Sequence, residues 1–539
     1  MKFRNNLKRA VSLLMTVMLV LGMGITALAD DPAPTTFKIT VPSDDNHTYA
    51  VYQIFTGDYA KETVDGKDVE YLSNVKWGQN GSLPTGASVG DNVSADILAT
   101  LQSASGNDKQ LLGVIKDYVD LSGTAFKTVS KDSEGTVPTG YYLIKDKDAV
   151  TGDDAATLYI VQVVGDVTIS RKADKPEVDK KVQENSTSAW GGHADYNIGD
   201  DVPFELIGTL PDNYDMYDTY KYIFHDTLSN GLTYNNDFKV YAVNAADVDG
   251  DMTGATEITA HFAYVAETAT DGAGLKFSCN DLKKAVAAYS ADIRIVVRYT
   301  AKLNGNAVIG NSGNPNKVKL EFSNNPNSGG EGDTGETPEK KVVVFTFELD
   351  GNKVDGKDTS KNLEGAEFKL YRLKSDGTTK EWIQITDGIV SGWTTTEDDG
   401  TVLTSDANGL FQIPGLDAGT YYLKETKAPT GYNLLEDEIT ITVTPGYKTT
   451  DADGTIIETL TGTVLVGTES DQNKPTDVTA TTAVDGKITG KLGFQVQNNK
   501  GSTLPETGGI GTTIFYVLGG IMVLGCGVIL YARKRMERK

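Results

Sequence analysis

The stretch Thr420-Tyr-Tyr-Leu-Lys-Glu-Thr426 decides the fold class. Tyr421, Leu423 and Glu425 share one face of an extended chain, because successive side chains of a strand point to opposite faces. The same alternation runs through TFKITV, TLYIVQVV, DIRIVVRYTAKL, KVKLEF, VVVFTFEL and EITITVTP, with Gly, Asn, Asp and Thr between the runs. Short alternating runs of this kind are typical of strands and hairpins. The pattern predicts an all-β protein built of stacked β-sandwiches.

Helical patterns are brief in comparison. The sequence predicts short helices over Ser94–Ser103, Asp108–Val119 and Asp281–Ser290. A chain of 539 residues is too long for one hydrophobic core, and its length predicts about three domains.

The N-terminus has the composition of a secretory signal peptide. Lys2, Arg4, Lys8 and Arg9 precede an apolar run over 10–25, and Ala27-Leu28-Ala29 supplies a small-x-small cleavage site. Residues 1–29 are therefore predicted to be removed, and the secreted chain begins at Asp30.

The C-terminus combines a short motif, an apolar run and a basic tail. Leu504, Pro505, Glu506, Thr507 and Gly508 precede an uncharged stretch over 510–531, which is about long enough to cross a bilayer as a helix. Residues 532–539 are rich in Arg and Lys, which favours a cytoplasmic tail. An ordinary membrane anchor with a chance LPETG is the alternative. The three parts in this order resemble the sorting signal of Gram-positive surface proteins, which implies that a sortase cuts between Thr507 and Gly508.

Composition restricts the partners and the means of stabilisation. The net charge is −24, and it is more negative once both basic ends are removed, which disfavours nucleic acid and anionic membrane as partners. Cys526 lies in the apolar run, so Cys279 alone would remain in the processed chain and no intramolecular disulfide is expected. A secreted chain without disulfides makes another covalent crosslink worth seeking.

Two composition changes predict the domain limits. A charged, Pro-containing stretch over 171–176 follows the strand run VVGDVTIS, and NPNSGGEGDTGETPE over 325–339 has the composition of a linker. We therefore expect domains at 30–173, 174–330 and 338–500.

The middle domain places a lysine and an asparagine on inward faces of its outer strands. Val178, Lys180 and Val182 share one face of VDKKV, so Lys180 is predicted to point into the core. The same count along the last strand puts Val318, Leu320, Phe322 and Asn324 on the inner face. Lys180 and Asn324 are the predicted pair.

The third domain repeats the arrangement. Phe345, Phe347, Leu349 and Lys353 fall on one face of its first strand, allowing for Gly351. Phe494, Val496 and Asn498 share a face of its last. The separation of Lys353 and Asn498 is nearly that of Lys180 and Asn324, which supports one architecture used twice.

Buried groups of these types can react. Burial lowers the pKa of a lysine and leaves a neutral nucleophile, whereas burial raises the pKa of a nearby carboxyl and keeps it protonated. The acid can then polarise the Asn carboxamide for attack, with ammonia as the leaving group. The product is an intramolecular Lys–Asn isopeptide bond. An ion-paired, unbonded lysine is the alternative.

The third domain resembles a known family. YYLKETKAPTGY over 421–432 is similar to the E-box of collagen-adhesin B-type domains in Gram-positive pilins and adhesins, and EGAEFKLY and FQVQNN extend the resemblance. The resemblance implies that Lys353 is the nucleophile, Asn498 the acceptor and Glu425 the catalytic acid. The alternative for Glu425 is an exposed charge paired across strands.

The middle domain resembles the isopeptide-forming domain of pilus shaft subunits. VDKKV, IGDDVPFELIGTLP, YIFHDTLSNGL and LEFSNNPN carry the resemblance. It implies that Asp226, which shares a strand face with Phe224 and Leu228, is the acid. A turn-capping aspartate is the alternative role. In the first domain Lys38 lies opposite Phe37, Ile39 and Val41, and no crosslink is predicted there.

The whole chain resembles the major shaft pilin of Gram-positive sortase-assembled pili, with three tandem immunoglobulin-like sandwiches of collagen-adhesin type. This implies a cell-surface homopolymer whose subunits are joined by sortase from Thr507 to a lysine of the next subunit, with peptidoglycan and minor or tip pilins as further partners. Lys172 occupies the position of the acceptor lysine, although Ser170-Arg171 departs from the usual motif, and Lys175 is the rival. A solvated linker lysine is the alternative role of Lys172.

Other functions find little support in the sequence. The histidines His47, His193, His225 and His261 are scattered, and Asp247-Val-Asp-Gly-Asp251 lacks the glutamate of a calcium loop. We expect no metal, no cofactor and no conventional enzyme activity, because no catalytic triad or phosphate loop is apparent and isopeptide formation would be a single-turnover step. The competing function is a singly wall-anchored adhesin that binds a surface ligand.

Overall fold

The computed structural model describes residues 35–536, apart from 65–66, 105–107, 148–149, 151, 153, 170–173, 331, 451–453, 472, 484 and 502–509. The predicted signal peptide over 1–29, the motif Leu504–Gly508 and the predicted acceptor Lys172 lie outside the described residues. The chain divides into two compact units, Met1–Thr346 with Tyr447–Ile456, and Phe347–Gly446 with Ile457–Lys539.

The N-terminal part of the first unit consists of eight strands and two helices among the residues described. The strands are β1 (Thr36–Thr40), β2 (Thr48–Val64), β3 (Lys67–Trp77), β4 (Lys127–Ser130), β5 (Gly135–Pro138), β6 (Gly140–Asp146), β7 (Leu158–Val163) and β8 (Val167–Thr168). One sheet has the order β5-β1-β8, and the other has the order β3-β2-β6-β7 with β4 beside β2. Lys38 on β1 pairs with Glu134 at 3.2 Å, and both side chains are more than half exposed, which agrees with a solvent-facing Lys38.

Two of the predicted helices form in this part of the chain. Helix α1 (Ala95–Ser103) begins after Ser94, whose side chain caps the helix by accepting a hydrogen bond from the main-chain nitrogen of Ile97. Helix α2 (Asp108–Ile115) continues into a 3₁₀ turn over Lys116–Tyr118. Both helices contribute side chains to an apolar core around Phe55 and Trp77.

The middle part of the first unit is a sandwich of two sheets. Its strands are β9 (Val178–Gln183), β10 (Trp190–Gly191), β11 (His193–Asp195), β12 (Asp201–Thr209), β13 (Tyr222–Leu228), β14 (Leu232–Tyr234), β15 (Lys239–Asn244), β16 (Thr256–Glu257), β17 (Ala263–Thr268), β18 (Ala273–Cys279), β19 (Ile293–Leu303), β20 (Asn314–Ser323), β21 (Thr334–Glu336) and β22 (Lys340–Phe345). One sheet has the order β10-β9-β12-β19-β15-β16, with β14 beside β19. The other has the order β11-β22-β20-β13-β18-β17, with β21 beside β20.

The predicted linker over 325–339 takes a different form in the structure. Strand β21 lies within this segment and pairs with β20, and β22 continues the same sheet by pairing with both β20 and β11. The run VVVFTFEL therefore splits, because Val342–Phe345 belong to the middle sandwich, whereas Phe347 starts a new strand in the second unit. The domain limits 30–173, 174–330 and 338–500 stay predictions, and strand pairing extends the middle sandwich to Phe345.

The helix predicted over Asp281–Ser290 is reduced to a 3₁₀ turn at Leu282–Lys284. Tertiary hydrogen bonds replace the helical ones in this segment. The Asp281 carboxylate accepts from the main-chain nitrogen of Tyr220 at 3.2 Å, and the Tyr214 hydroxyl donates to the carbonyl of Val286 at 2.7 Å. Local propensity yields here to packing against neighbouring strands.

The second unit contains another pair of sheets. Its strands are β23 (Phe347–Asp355), β24 (Glu367–Leu373), β25 (Lys380–Thr386), β26 (Ile389–Thr394), β27 (Leu403–Thr404), β28 (Leu410–Leu416), β29 (Gly419–Lys427), β30 (Ile439–Thr450), β31 (Gly454–Val466), β32 (Thr476–Thr479) and β33 (Lys491–Asn498), of which β30 and β31 extend in part into residues assigned to the first unit. The small sheet has the order β28-β23-β33, and the large one has the order β26-β25-β24-β29-β30-β31-β32, with β27 beside β24. The prediction of an all-β fold is confirmed.

Helix α3 (Ile510–Met536) follows the last strand. Its segment Tyr516–Met536 is long and apolar enough to cross a membrane, with a mean hydropathy of 1.7. It covers most of the span predicted over 510–531 and part of the tail predicted over 532–539.

Candidate functional site

The middle sandwich buries a lysine on its first strand. Strand β9 alternates buried and more exposed residues, and Lys180, at 3% exposure, lies on the same face as Val178 and Val182. Its amine lies 5.5 Å from the ring centre of Phe204 and 5.7 Å from that of Tyr299. The predicted burial of Lys180 is therefore present in the structure.

The lysine amine meets Asp226 from strand β13 of the other sheet. Lys180 Nζ donates to Asp226 Oδ2, and both side chains are fully buried. Burial lowers the pKa of the Lys180 amine to about 8, although the carboxylate opposes this change. Burial raises the pKa of Asp226, against the effect of the lysine. The pair is therefore shifted towards a neutral amine and a protonated acid.

The predicted acceptor Asn324 lies elsewhere. Its amide donates to the main-chain oxygen of Asp154 at 3.3 Å, beyond the end of β20, and its main-chain oxygen accepts from Ala156. In the register of β13 and β20, Asp226 is opposite Val318, six residues before Asn324. Six strand residues span roughly 20 Å. The structure therefore does not bring Asn324 to Lys180.

A different asparagine, Asn316, lies near Lys180 and Asp226. Asn316 lies opposite Leu228, two residues from Val318 on the same strand face, and it is fully buried. Its Nδ2 donates to the Tyr299 hydroxyl at 2.7 Å, and that hydroxyl lies 3.4 Å from Lys180 Nζ. Asn316 Oδ1 is buried and accepts no hydrogen bond from the described residues, which is a costly state for a carbonyl. Lys180, Asp226, Tyr299 and Asn316 form one cluster, the middle cluster.

The second unit assembles the predicted residues as a second cluster. Lys353 on β23 and Asn498 on β33 belong to neighbouring parallel strands, in which Asp355 is opposite Asn498. Lys353 Nζ donates to Asn498 Oδ1 and lies 3.2 Å from Glu425 Oε1. The Lys353 and Glu425 side chains are fully buried, and Asn498 is 2% exposed. Lys353, Glu425 and Asn498 form the third-domain cluster.

Glu425 connects the nucleophile and the amide directly. Its Oε2 accepts from Asn498 Nδ2 at 2.9 Å and from the main-chain nitrogen of Leu435 at 2.7 Å. Asn498 Nδ2 also donates to the carbonyl of Asn433 at 2.7 Å, which fixes the amide plane. Burial lowers the pKa of the Lys353 amine to about 8, with Glu425 opposing this change.

The two clusters share one chemistry but differ in one respect. In each, a buried amine contacts a carboxyl group that can exchange protons with it. A buried carboxamide contacts the amine directly in the third-domain cluster and through the Tyr299 hydroxyl in the middle cluster. In the third-domain cluster a glutamate touches both the amine and the amide. In the middle cluster the acid is the shorter Asp226, and the Tyr299 hydroxyl stands between it and the amide, donating to Asp226 Oδ1 at 3.1 Å. Sequence reasoning missed Asn316 and Tyr299.

Neither cluster resembles a metal centre. Among the residues described, no group of three or more His, Cys, Asp or Glu side chains could hold a metal ion. Lys175, the rival intersubunit acceptor, is exposed just before β9.

Models of three protein families match the chain. The Gram-positive pilin backbone subunit 2, Cna-B-like domain matches residues 198–326, and the SpaA prealbumin-like fold domain matches residues 347–456. The LPXTG cell wall anchor motif matches residues 496–538. The chain therefore contains a Gram-positive pilin backbone domain, a SpaA prealbumin-like domain and an LPXTG anchor. Its anchor places it on the cell wall as a surface protein, and α3 fits the membrane segment of the sorting signal.

Homologues are pilus backbone proteins. The trypsin-resistant surface T6 protein of Streptococcus pyogenes serotype M6 is 24% identical over 421 residues, which cover 68% of this pilin and 70% of the relative. The structure of the T6 backbone pilin is 17% identical, with 88% of this chain and 100% of that chain covered and a TM-score of 0.44. The full-length major pilin SpaD from Corynebacterium diphtheriae is 16% identical, with 88% and 99% covered and a TM-score of 0.42. Because both TM-scores are below 0.5, the fold is assigned from the sheets described above and not from these two structures.

Proposed function

We propose that this backbone pilin is the shaft subunit of a covalent pilus and that each of its two clusters forms an internal Lys–Asn isopeptide bond. The observation that supports the bonds most strongly is the burial of a lysine, an acid and a carboxamide together, twice in one chain. An unbonded lysine at either place would leave a charged or unsatisfied group in an apolar core, which is costly.

The reaction in the third domain follows from the contacts of Glu425. The neutral Lys353 amine attacks Cγ of Asn498, and the Cγ–Nδ2 bond breaks. Glu425 takes a proton from Nζ through Oε1 and supplies a proton to Nδ2 through Oε2. The protonated Nδ2 then leaves as ammonia. One C–N bond forms and one breaks. Because Glu425 gains one proton and gives one up, its carboxyl group is unchanged at the end.

In the middle domain the same reaction would join Lys180 to Asn316. Asp226 is the acid that exchanges the proton with Lys180, and Asn316 replaces Asn324 as the proposed acceptor. Loss of ammonia into solvent makes both reactions irreversible, so each is a maturation step of the folded chain and no enzymatic turnover follows.

Subunits would be joined by a sortase from the Thr507 carbonyl to Lys172 of the next subunit, with Lys175 as the rival acceptor, and the last subunit to peptidoglycan. Minor or tip pilins would add to this shaft. A singly anchored adhesin is the competing function, because the anchor motif serves both.

Wall extracts separated under denaturing, reducing conditions distinguish these functions. A shaft subunit gives a ladder of high-mass bands, which collapses to the monomer in Lys172→Ala and persists in Lys175→Ala. A single band in the wild type would refute the shaft and favour the adhesin. A ladder that survives Lys172→Ala but not Lys175→Ala would move the acceptor to Lys175.

Intact mass of the full-length chain tests the internal bonds. The wild type should lack two ammonia molecules relative to the encoded mass, and Glu425→Ala should restore one of them. A wild-type mass equal to the encoded one would reject both bonds.

A further inference from the structure

Tyr299 occupies a position in the middle cluster that has no counterpart in the third-domain cluster. Its hydroxyl lies 2.7 Å from Asn316 Nδ2, 3.1 Å from Asp226 Oδ1 and 3.4 Å from Lys180 Nζ. The side chain is 3% exposed. One hydroxyl therefore touches the nucleophile, the acid and the leaving group of the proposed bond.

The need for such a group follows from the length of the acid. Glu425 reaches Lys353 with one oxygen and Asn498 with the other, at 3.2 and 2.9 Å. Asp226 is one methylene shorter. Its Oδ2 accepts from Lys180, and its Oδ1 accepts from Tyr299 instead of from the amide.

We propose that Tyr299 is a catalytic residue of the middle domain, whose hydroxyl relays the proton from Asp226 to the departing nitrogen of Asn316. This inference rests on the proposed Lys180–Asn316 bond and extends it by naming the route of the proton.

The proposed step balances. Lys180 Nζ attacks Cγ of Asn316 and loses a proton to Asp226. Asp226 gives its own proton to the Tyr299 oxygen, and the hydroxyl gives its proton to Nδ2. The Cγ–Nδ2 bond breaks, ammonia leaves, and both Asp226 and Tyr299 end in their starting protonation states. A phenol can act in this way only when both its neighbours are held within hydrogen-bond distance, as they are here.

The ring of Tyr299 also has a packing role, which must be separated from the chemistry. It stacks on Phe204 at 5.5 Å between ring centres and meets Phe277 at 5.7 Å. Tyr299→Phe keeps the ring and removes the hydroxyl, so it tests the relay with little change in packing.

Tyr234 supplies a matched control. Its ring lies 5.6 Å from that of Tyr299, and its hydroxyl accepts from the main-chain nitrogen of Phe238 at 3.4 Å, away from the amide. Tyr234→Phe removes a hydroxyl from the same aromatic group without touching the reacting atoms.

The experiment follows ammonia loss in the full-length chain, extracted in detergent and mapped as peptides under denaturing conditions. In Tyr299→Phe we expect the Lys180 and Asn316 peptides to be recovered unlinked, with the link forming at least about 100-fold more slowly. The Lys353–Asn498 link of the same molecules should be complete, which shows that the second unit is folded and reactive. Tyr234→Phe should carry both links.

Rescue distinguishes a relay from a structural hydroxyl. Asp226→Glu in the Tyr299→Phe background adds the missing methylene, so the longer acid can reach Nδ2 as Glu425 reaches Asn498. The double variant should regain the middle link. A hydroxyl that only orders the cluster would not be replaced in this way.

Two results would overturn the relay. One is a Tyr299→Phe chain that is linked as completely and as quickly as the wild type. The other is an unlinked Tyr299→Phe chain that Asp226→Glu does not restore. A wild type without a Lys180–Asn316 link would remove the proposed bond itself and the relay with it, and this outcome is recognised before any variant is made.

Discussion

Replacing Asn498 by Ala tests how much the third-domain bond stabilises its sandwich. The side chain is the only proposed acceptor for Lys353, so the variant should lack one ammonia relative to its encoded mass, where the wild type lacks two. The proposed bond closes a loop of 145 residues between Lys353 and Asn498. The chain-entropy relation for a crosslink over that length gives about 5 kcal/mol of stabilisation.

This free energy converts to a measurable thermal shift. A sandwich of about 150 residues loses roughly 2–4 °C in Tm for each kcal/mol, so Asn498→Ala should unfold about 10–20 °C below the wild type. Differential scanning calorimetry of the full-length chain resolves the transition.

Gln497→Ala is the matched control. It removes an amide from the next position of β33, where the side chain faces solvent. This control should show the same two-ammonia deficit relative to its encoded mass as the wild type, and the wild-type Tm. A verified loss of the bond with a Tm change below about 3 °C would refute the loop-entropy reasoning, because the expected shift is several times larger.

Three further predictions follow from the same geometry. Relative to its own encoded mass, Asn316→Ala should lack one ammonia, whereas Asn324→Ala should lack two, as the wild type does; the reverse result would return the acceptor to Asn324. In Asn498→Ala, burial of the free Lys353 keeps its folded pKa at about 8, below its usual 10.5, so the unfolded chain binds more protons between these values and stability should rise with pH through that window. With the proposed bond the wild-type lysine would be an amide, and parallel urea titrations should show no such rise. Glu425→Gln should leave Lys353 unlinked in peptide maps while Lys180 remains linked, and a fully linked Lys353 would exclude Glu425 as the acid.

The sequence was sufficient for the third-domain cluster. Period-two alternation put Lys353 and Asn498 on inner faces, and the YxLxETxAPxGY pattern identified Glu425. Alternation is reliable here because each strand has one buried and one solvated face, as the burial of β33 shows.

The same rule was insufficient for the middle acceptor. Asn316 and Asn324 are eight residues apart in one alternating run of sequence, so period-two counting puts both on the inner face and cannot choose between them. The choice depends on the register of β20 against β13, which sets Val318 opposite Asp226 and leaves Asn316 nearby. Register is a property of pairing between distant segments, and the near-equal sequence separations favoured Asn324, which the structure does not bring to Lys180.

The position of the Tyr299 hydroxyl in the middle cluster could not be predicted from the sequence for a related reason. In DIRIVVRYTAKL this tyrosine shares a face with Ile295, Val297 and Ala301 and therefore resembles an ordinary core aromatic residue. Its hydroxyl acquires a role only where three strands bring an acid, an amine and an amide to it. The linker composition of 325–339 misled in the opposite direction, since Thr334–Glu336 is a strand of the middle sandwich.

The position of Asn316 near the start of β20 has a consequence for extensibility. A bond from Lys180 to Asn316 would carry a tensile force past the residues between them. Residues 317–346 lie outside this loop and would still bear the force. In that stretch β20 and β22 pair as antiparallel arms, with Asn316 opposite Val342, so a pull on the two ends would unzip them from their open end. Thirty residues drawn straight span on the order of 100 Å. Each subunit would thus contain one reversibly extensible segment, residues 317–346, between two segments whose extension the proposed crosslinks prevent.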